Sequence, residues 1–153
     1  MKLDLKVPPP LVLVIAGAAM YAAARLTPAL SVHAFGGQRI FAALFAASGV
    51  LLVLPAVLRF RRADTTVSPL SPEKASTLVT AGVYAYTRNP MYLGLLLILI
   101  GWAMYLANAT ALLMLPAFVA YISRYQIRPE EEALSEKFGE AFLAYMRRVR
   151  RWL

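Results

Sequence analysis

The chain has 153 residues, of which 60% are hydrophobic and 16% are charged, whereas a soluble domain carries about 25% charged residues. Its length predicts one domain, and its few charged side chains predict a surface that is largely outside water. The net charge of +8 comes with no nucleic-acid-binding motif, so we exclude nucleic acid as a partner. The lack of cysteine excludes disulfides and thiol chemistry, and the single histidine, His33, predicts no metal site.

Two apolar runs occupy the N-terminal part of the chain. The first extends from Leu11 to about Leu26 and the second from about Ile40 to Leu58. Each approaches the roughly 20 residues that cross a bilayer as a helix, and Pro55 is expected to kink the second run near its end. The first run lacks a clear cleavage site, so we expect a retained helix and not a signal peptide.

A polar stretch from Arg59 to Asn89 leads to two further apolar runs. Its length of about 30 residues is typical of a functional or disordered connection. The third run extends from Met91 to about Leu106, and the fourth from Ala111 to about Ile122, with only a few residues around Asn108 between them. Because this link is so short, the two runs must form an antiparallel helical hairpin.

The C-terminal region changes to an amphipathic pattern. Four apolar residues recur there at helical spacing among charged ones: Leu134, Phe138, Phe142 and Tyr145. This spacing predicts one amphipathic helix from Glu130 to Tyr145. The basic and aromatic residues 147–153 follow it and suit a membrane interface.

Most Lys and Arg residues lie in the 59–89 connection and in the C-terminal tail, so the positive-inside rule places both in the cytoplasm. The sequence therefore predicts an all-α polytopic membrane protein with about four transmembrane helices, a C-terminal helical hairpin and a cytoplasmic amphipathic tail helix. We expect a bacterial or archaeal cell membrane, with both termini cytoplasmic. Within one structural domain, residues 1–62 form a transmembrane helix pair and residues 63–153 form the functional core.

One cluster of polar and aromatic residues precedes the third apolar run. Asn89 and Pro90 predict a helix start, with Asn as the cap and Pro in the first helical position. The free N–H groups at such a start attract an anion, and Arg88 adds positive charge. Tyr84 and Tyr92 offer aromatic faces with hydroxyl groups. The alternative is that these residues only anchor the helix at the membrane interface.

A second cluster follows the hairpin and contains Arg124, Arg128, Glu130 and Glu131. The acidic residues complement the dipole of a helix that begins near Pro129, or they bind a cation or the hydroxyls of a ribose. Because both clusters flank one hairpin, they lie on the same side of the membrane. Together they suit a zwitterionic or cationic ligand.

Four motifs occur in order between residues 65 and 152. They are Leu78-Val79 with Gly82-Val-Tyr84, then Arg88-Asn-Pro-Met-Tyr92-Leu-Gly94, then Glu130-Glu131-x-x-Leu134-x-x-x-Phe138-Gly139, and then Tyr145. Together they resemble the isoprenylcysteine carboxyl methyltransferase and phospholipid methyltransferase superfamily. The resemblance implies a membrane-embedded methyltransferase that uses S-adenosylmethionine without a Rossmann domain. The acceptor is expected to be lipophilic: an isoprenoid or prenylcysteine-type carboxylate, a phospholipid amine, an isoprenoid thiol or another small hydrophobic molecule.

The resemblance implies that the cofactor contacts Ser76, Thr77, Leu78, Val79, Tyr84, Asn89, Pro90, Met91, Tyr92 and Glu130, and the positive charge of Arg88 adds this residue to the set. The chemistry of methyl transfer predicts further roles. We expect Arg124 or Arg128 to hold an anionic group of the acceptor, and Glu131 and Tyr92 are candidates to deprotonate an amine acceptor.

Two positions depart from the family pattern. Asn89 stands where eukaryotic members have His, and because Asn does not titrate we expect no proton transfer there. Gln126 stands where the prenylcysteine enzymes have an Arg on the substrate side, and this difference argues against a prenylcysteine carboxylate as the acceptor.

Two other functions stay open. One is a nicotinamide-dependent membrane lipid reductase with a similar helical core, although a reductase usually needs more helices than this length allows. The other is a non-catalytic membrane scaffold, against which the intact motif spacing argues. The identity of the acceptor and the oligomeric state are not predicted.

Overall fold

The computed structural model describes residues 7–33, 35–62 and 76–153, which are mostly helical and contain no β-strand. The predicted all-α class is therefore confirmed. Part of the long polar connection, residues 63–75, lies outside the described residues. The α-helices are α1 (Pro9–Leu26), α2 (Gln38–Arg62), α3 (Pro90–Leu106), α4 (Ala109–Ile122), α5 (Arg128–Phe138) and α6 (Glu140–Arg148).

In the described part of the chain, two helical segments are long and apolar enough to cross a membrane: Pro9–Leu26 and Gln38–Arg59. Only 17% of each is buried inside the protein, so most of their apolar side chains face outward, as lipid contact requires. α3 is also apolar but has 17 residues, and α4 has 14. These features support a membrane protein, whereas the predicted count of four spans is not confirmed.

α3 lies at the centre of the bundle, in contact with α1, α2 and α4. Its contact with α2 depends on glycine. A Cβ added at Gly94 would lie 2.5 Å from Val53 Cγ2, and one added at Gly101 would lie 2.5 Å from the Ala42 carbonyl oxygen. The missing side chains therefore let the two backbones touch. Pro55 lies inside α2 and does not end it.

The turn between α3 and α4 is short and well bonded, which confirms the predicted hairpin. Ala107 adopts a left-handed conformation at φ 49° and ends α3. Asn108 caps α4, because its side chain accepts a hydrogen bond from the Thr110 backbone N–H at 2.9 Å. The Asn108 amide also donates to the Thr27 carbonyl at 2.9 Å, which ties the turn to the end of α1.

The tail is helical in two pieces, so the prediction of one continuous amphipathic helix is wrong. α4 first passes into α5 through a π-helical turn, Ser123–Ile127. α5 then ends at Gly139, whose φ of 52° and ψ of −129° suit glycine and interrupt helical hydrogen bonding. The apolar residues of both pieces still meet in a small core that contains Leu78, Leu134, Phe138, Phe142, Tyr145, Met146 and Val149.

Candidate functional site

The residues just before α3 form hydrogen bonds with the C-terminal segment of the chain. Asn89 occupies the N-cap position, but its side chain makes no capping bond; its amide donates to the Arg151 carbonyl at 2.8 Å. The Thr87 hydroxyl donates to the same carbonyl at 3.3 Å and accepts from the Asn89 backbone N–H at 3.2 Å. The predicted capping role of the Asn89 side chain is therefore wrong. We call residues 149–152, which this site holds, the C-terminal strap.

Arg88 binds the strap and the residues just before it. Its backbone N–H donates to the Arg150 carbonyl at 2.9 Å. Its guanidinium donates to the Met146 carbonyl at 3.0 Å and the Val149 carbonyl at 2.6 Å. The other end of the guanidinium reaches α5, where it donates to Glu131 at 2.8 Å. Arg88 therefore joins the start of α3, the end of α6 and α5.

Glu131 lies between two guanidinium groups. Arg88 Nη2 is 2.8 Å from Glu131 Oε1, and Arg151 Nη2 is 2.5 Å from Oε2. The side chains of Arg88 and Glu131 are only 12% and 14% exposed, so this pair is largely sheltered from water. Both oxygens of the carboxylate are thus already engaged, and the contact fastens the strap to α5.

Glu130 lies next to Glu131 but is bonded differently. Its Oε2 accepts a hydrogen bond from the Tyr92 hydroxyl at 3.1 Å, and no Lys or Arg of the described residues pairs with it. Burial raises the pKa of Glu130 to about 7; the nearby Glu131 charge adds to this rise and the Tyr92 hydrogen bond opposes it. Among the described residues, Glu130 is therefore a carboxylate without a cationic partner, which a cationic or hydroxyl-rich ligand would stabilise.

Two buried tyrosines close the same region. The Tyr145 hydroxyl donates to the Tyr84 carbonyl at 2.7 Å, which ties α6 to the 3-10 turn Gly82–Ala85. Burial raises the pKa of the Tyr84 hydroxyl, and the nearby charge of Glu130 raises it further. Burial also raises the pKa of Tyr145 to about 12. Both hydroxyls therefore stay protonated near neutral pH and act as hydrogen-bond groups, not as bases.

The structure brings together part of the residue set expected from the sequence. Arg88, Asn89, Tyr92, Glu130 and Glu131 form one bonded group, described above. Pro90 is buried at the start of α3 and Met91 is half-buried beside it. The segment that leads to the site is more exposed: Ser76 and Thr77 are exposed, whereas Leu78 and Val79 are half-buried.

Arg124 and Arg128 stay outside this group, and both are exposed. The Arg124 guanidinium carbon lies 5.6 Å from the centre of the Tyr125 ring. Arg128 lines a surface cavity of about 620 Å³ beside Glu131 and Arg151. Gln126 is buried, and its amide donates to the Val7 carbonyl at 2.8 Å.

Sequence reasoning missed Thr87 and the ion-pairing role of Arg151. The basic residues at the C-terminus suggested only a membrane interface, since Arg151 is one of four arginines there. No local pattern marks the one that pairs with Glu131.

A family model described as phospholipid methyltransferase matches residues 37–141, more than half of the chain. An uncharacterized protein of Haemophilus influenzae is 46% identical over 63 residues, which are 41% of this chain and all of that protein. The protein-S-isoprenylcysteine O-methyltransferase of Rattus norvegicus is 34% identical over 67% of this chain and 39% of its own length. The Arabidopsis thaliana protein-S-isoprenylcysteine O-methyltransferase B is 30% identical over 66% of this chain and 51% of its own length. The chain thus spans about half or less of these two relatives, and no solved structure matches it significantly.

Proposed function

The chain belongs to the phospholipid methyltransferase family, and we propose that it transfers a methyl group from S-adenosylmethionine to a lipophilic acceptor in the membrane. Two of its relatives are named as O-methyltransferases, and its outward-facing apolar helices support a location in a membrane.

The observation that carries this proposal is the carboxylate of Glu130, which no Lys or Arg of the described ranges pairs with. S-adenosylmethionine has a sulfonium, an ammonium and two ribose hydroxyls, all of which a half-buried carboxylate can bind. The start of α3 at Pro90 adds backbone N–H groups without helical partners, which suit the carboxylate of the same molecule. The residues present therefore fit this cofactor, and Asn89, Met91 and Tyr92 would hold it from the α3 side.

The bound cofactor would supply a methyl group on an already activated leaving group. The protein then has to align the reactants and exclude water. We assign the second task to the C-terminal strap, which Thr87, Arg88 and Asn89 hold across the start of α3. Glu131 serves as a positioning residue, because both oxygens of its carboxylate are already paired with guanidinium groups.

An amine acceptor must lose a proton, whereas a carboxylate acceptor need not. Glu130 is the best placed proton acceptor, since its pKa of about 7 is near the working pH. Tyr92 donates to it and can pass a proton along that bond. We propose that Arg124 or Arg128, both exposed, hold the anionic group of the acceptor.

Calorimetric titration with S-adenosylmethionine tests the assignment of Glu130 and Tyr92. We expect Glu130→Gln to weaken binding about 10- to 100-fold, which corresponds to the loss of one charged hydrogen bond, and Tyr92→Phe to weaken it less. Glu132→Gln is the matched control, because Glu132 is exposed on the same helix. Unchanged affinity in both site variants would contradict the assignment.

Two further measurements separate the alternatives. A titration with NADPH in place of S-adenosylmethionine would reveal the reductase, and binding of neither molecule would favour the scaffold. Transfer of a labelled methyl group into a membrane lipid extract identifies the acceptor class. Alkali releases the label as methanol from a methyl ester, but not from an N-methylated phospholipid.

A further inference from the structure

An apolar groove lies between α1, α2 and α3, away from the candidate site. Its volume is about 870 Å³, and its walls include Leu13, Gly17, Ala43, Ala46, Ile98 and Trp102. One end opens into a polar cavity of about 590 Å³, which we call the arginine mouth. The mouth shares Tyr21, Arg39 and Tyr105 with the groove and adds Arg25, Ser31 and Asn108.

The groove and the mouth together have about the length of one bilayer leaflet. From Leu13 in the groove to Arg25 in the mouth, α1 advances 12 residues, or about 18 Å at the rise of an α-helix. One leaflet contributes about 15 Å of hydrocarbon, half of the roughly 30 Å apolar thickness. The mouth lies at the C-terminal end of α3 and the candidate site at its N-terminal end, so the 17 residues of α3 separate them by about 25 Å.

Aromatic rings mark the depth of the mouth in the membrane. Trp102 stacks between two tyrosines, with ring centres 6.5 Å from Tyr21 and 5.4 Å from Tyr105. Its indole N–H donates to the Gly17 carbonyl at 3.0 Å, which fixes the ring against α1. Since Trp and Tyr concentrate at the level of lipid headgroups, this end of the groove belongs at a membrane surface.

The charge at this end is positive and uncompensated. Arg25 and Arg39 come from different helices and line the same mouth. Neither has an ion-pair partner within the ranges that the structure describes, and the sequence has no Asp or Glu from residue 5 to residue 63. Hydrogen bonds from Gln38 to Met104 and from Asn108 to Thr27 hold the surrounding backbone. The two arginines therefore line one cavity, where a phosphate would neutralise them.

We propose that the groove binds one anionic glycerophospholipid of the leaflet opposite the methyl-transfer site. Its phosphate contacts Arg25 and Arg39 in the mouth, and one acyl chain lies along the groove. Lipid binding in this groove does not require methyl transfer, so its test is independent of the assignment of the cofactor site.

Trp102 reports on this site, because it lines the groove and the chain has only one other tryptophan, Trp152. A Trp152→Phe protein in phosphatidylcholine vesicles is titrated with acyl-brominated phosphatidylglycerol or, in parallel, with acyl-brominated phosphatidylcholine. We expect half-maximal quenching of Trp102 at a mole fraction about tenfold lower for the anionic lipid, since two arginines attract it. Equal quenching by the two lipids would overturn the proposal.

Three variants test where the anionic lipid sits. Arg25→Gln/Arg39→Gln should abolish the preference by removing the charges, and Ala43→Phe should reduce it by filling the groove while keeping them. Arg148→Gln/Arg150→Gln, which changes two exposed arginines near the other end, should leave it unchanged. A preference that survives in the first two variants would overturn the site. If Trp152→Phe does not fold, retention of phosphatidylglycerol by the parent and variants in native mass spectrometry gives the same comparison.

Discussion

The ionisation of Glu130 makes ligand binding depend on pH. Its pKa is raised to about 7, so below that value a cationic ligand must displace a proton. We expect the affinity for S-adenosylmethionine to fall about tenfold per pH unit below pH 6.5 and to level off above pH 8. Calorimetry in two buffers of different ionisation enthalpy should detect release of about half a proton at pH 7. Glu130→Gln should remove the pH dependence, and a flat profile in the parent protein would contradict this role.

The Arg88–Glu131–Arg151 contact should hold the strap in place. Glu131→Ala leaves the sheltered Arg88 guanidinium without its carboxylate, and we expect it to cost about 3–5 kcal/mol of stability. Trypsin should then cut faster after Arg150 and Arg151. Thermal unfolding in detergent and mass analysis of the C-terminal peptides measure the two effects.

Arg147 and Glu140 provide the control for this contact. Their side chains pair at 2.5 Å but are 64% and 76% exposed. Glu140→Ala should therefore change stability by less than about 1 kcal/mol. Equal effects of the two substitutions would show that the sheltered contact does not fasten the strap.

At the scale of residues, the sequence predicted which side chains lie together in the site better than it predicted their hydrogen bonds and ion pairs. Arg88, Asn89 and Glu130 could be grouped because short apolar helices bring both clusters to one end of a hairpin. The choice of Arg151 over its neighbours depends on how the chain returns after α6. Asn89 has a side chain typical of a cap, yet the returning strap offers its amide a carbonyl to bind.

The α2–α3 contact should be sensitive to a single methyl group. A Cβ at Gly101 would lie 2.5 Å from the Ala42 carbonyl oxygen and 3.0 Å from the Ala46 backbone nitrogen, and neither backbone atom can move alone. We expect Gly101→Ala to cost about 1–3 kcal/mol through overpacking. Gly36→Ala is the control, because nothing lies within 4 Å of its added Cβ. Equal melting temperatures for both variants would argue against close backbone contact.

At the scale of helices, the sequence pattern predicts the structure correctly where a single physical rule determines it. The runs that became α3 and α4 were predictable because a short link between two apolar helices leaves only a hairpin. The break at Gly139 was missed because the apolar spacing from Leu134 to Tyr145 continues through it. The spacing indicates which residues pack into the same core, and two short helices bring these residues together as well as one long helix would.

At the scale of the molecule, the bundle has two chemically different ends. The end with the C-terminal strap contains Glu131, which pairs with Arg88 and Arg151, and Glu130, for which the described part of the chain offers no cationic partner. The end with Arg25, Arg39 and Asn108 presents only positive charge among its described residues. The sequence predicted the first end through its motifs, but not the second, because Arg25 and Arg39 converge only when α1 and α2 pack on α3.

The number of membrane crossings can be measured directly, because the parent chain has no cysteine and each introduced one is unique. If α3 and α4 cross with α1 and α2, His33→Cys and Ala109→Cys should react with a membrane-impermeant maleimide from the outside of intact cells. Glu140→Cys should react only in inverted vesicles, because the positive-inside rule predicts a cytoplasmic tail. Labelling of His33→Cys and Ala109→Cys from opposite sides would contradict the four-span arrangement. Labelling of Glu140→Cys from the outside would instead place the candidate site outside the cell, where it could not bind cytoplasmic S-adenosylmethionine.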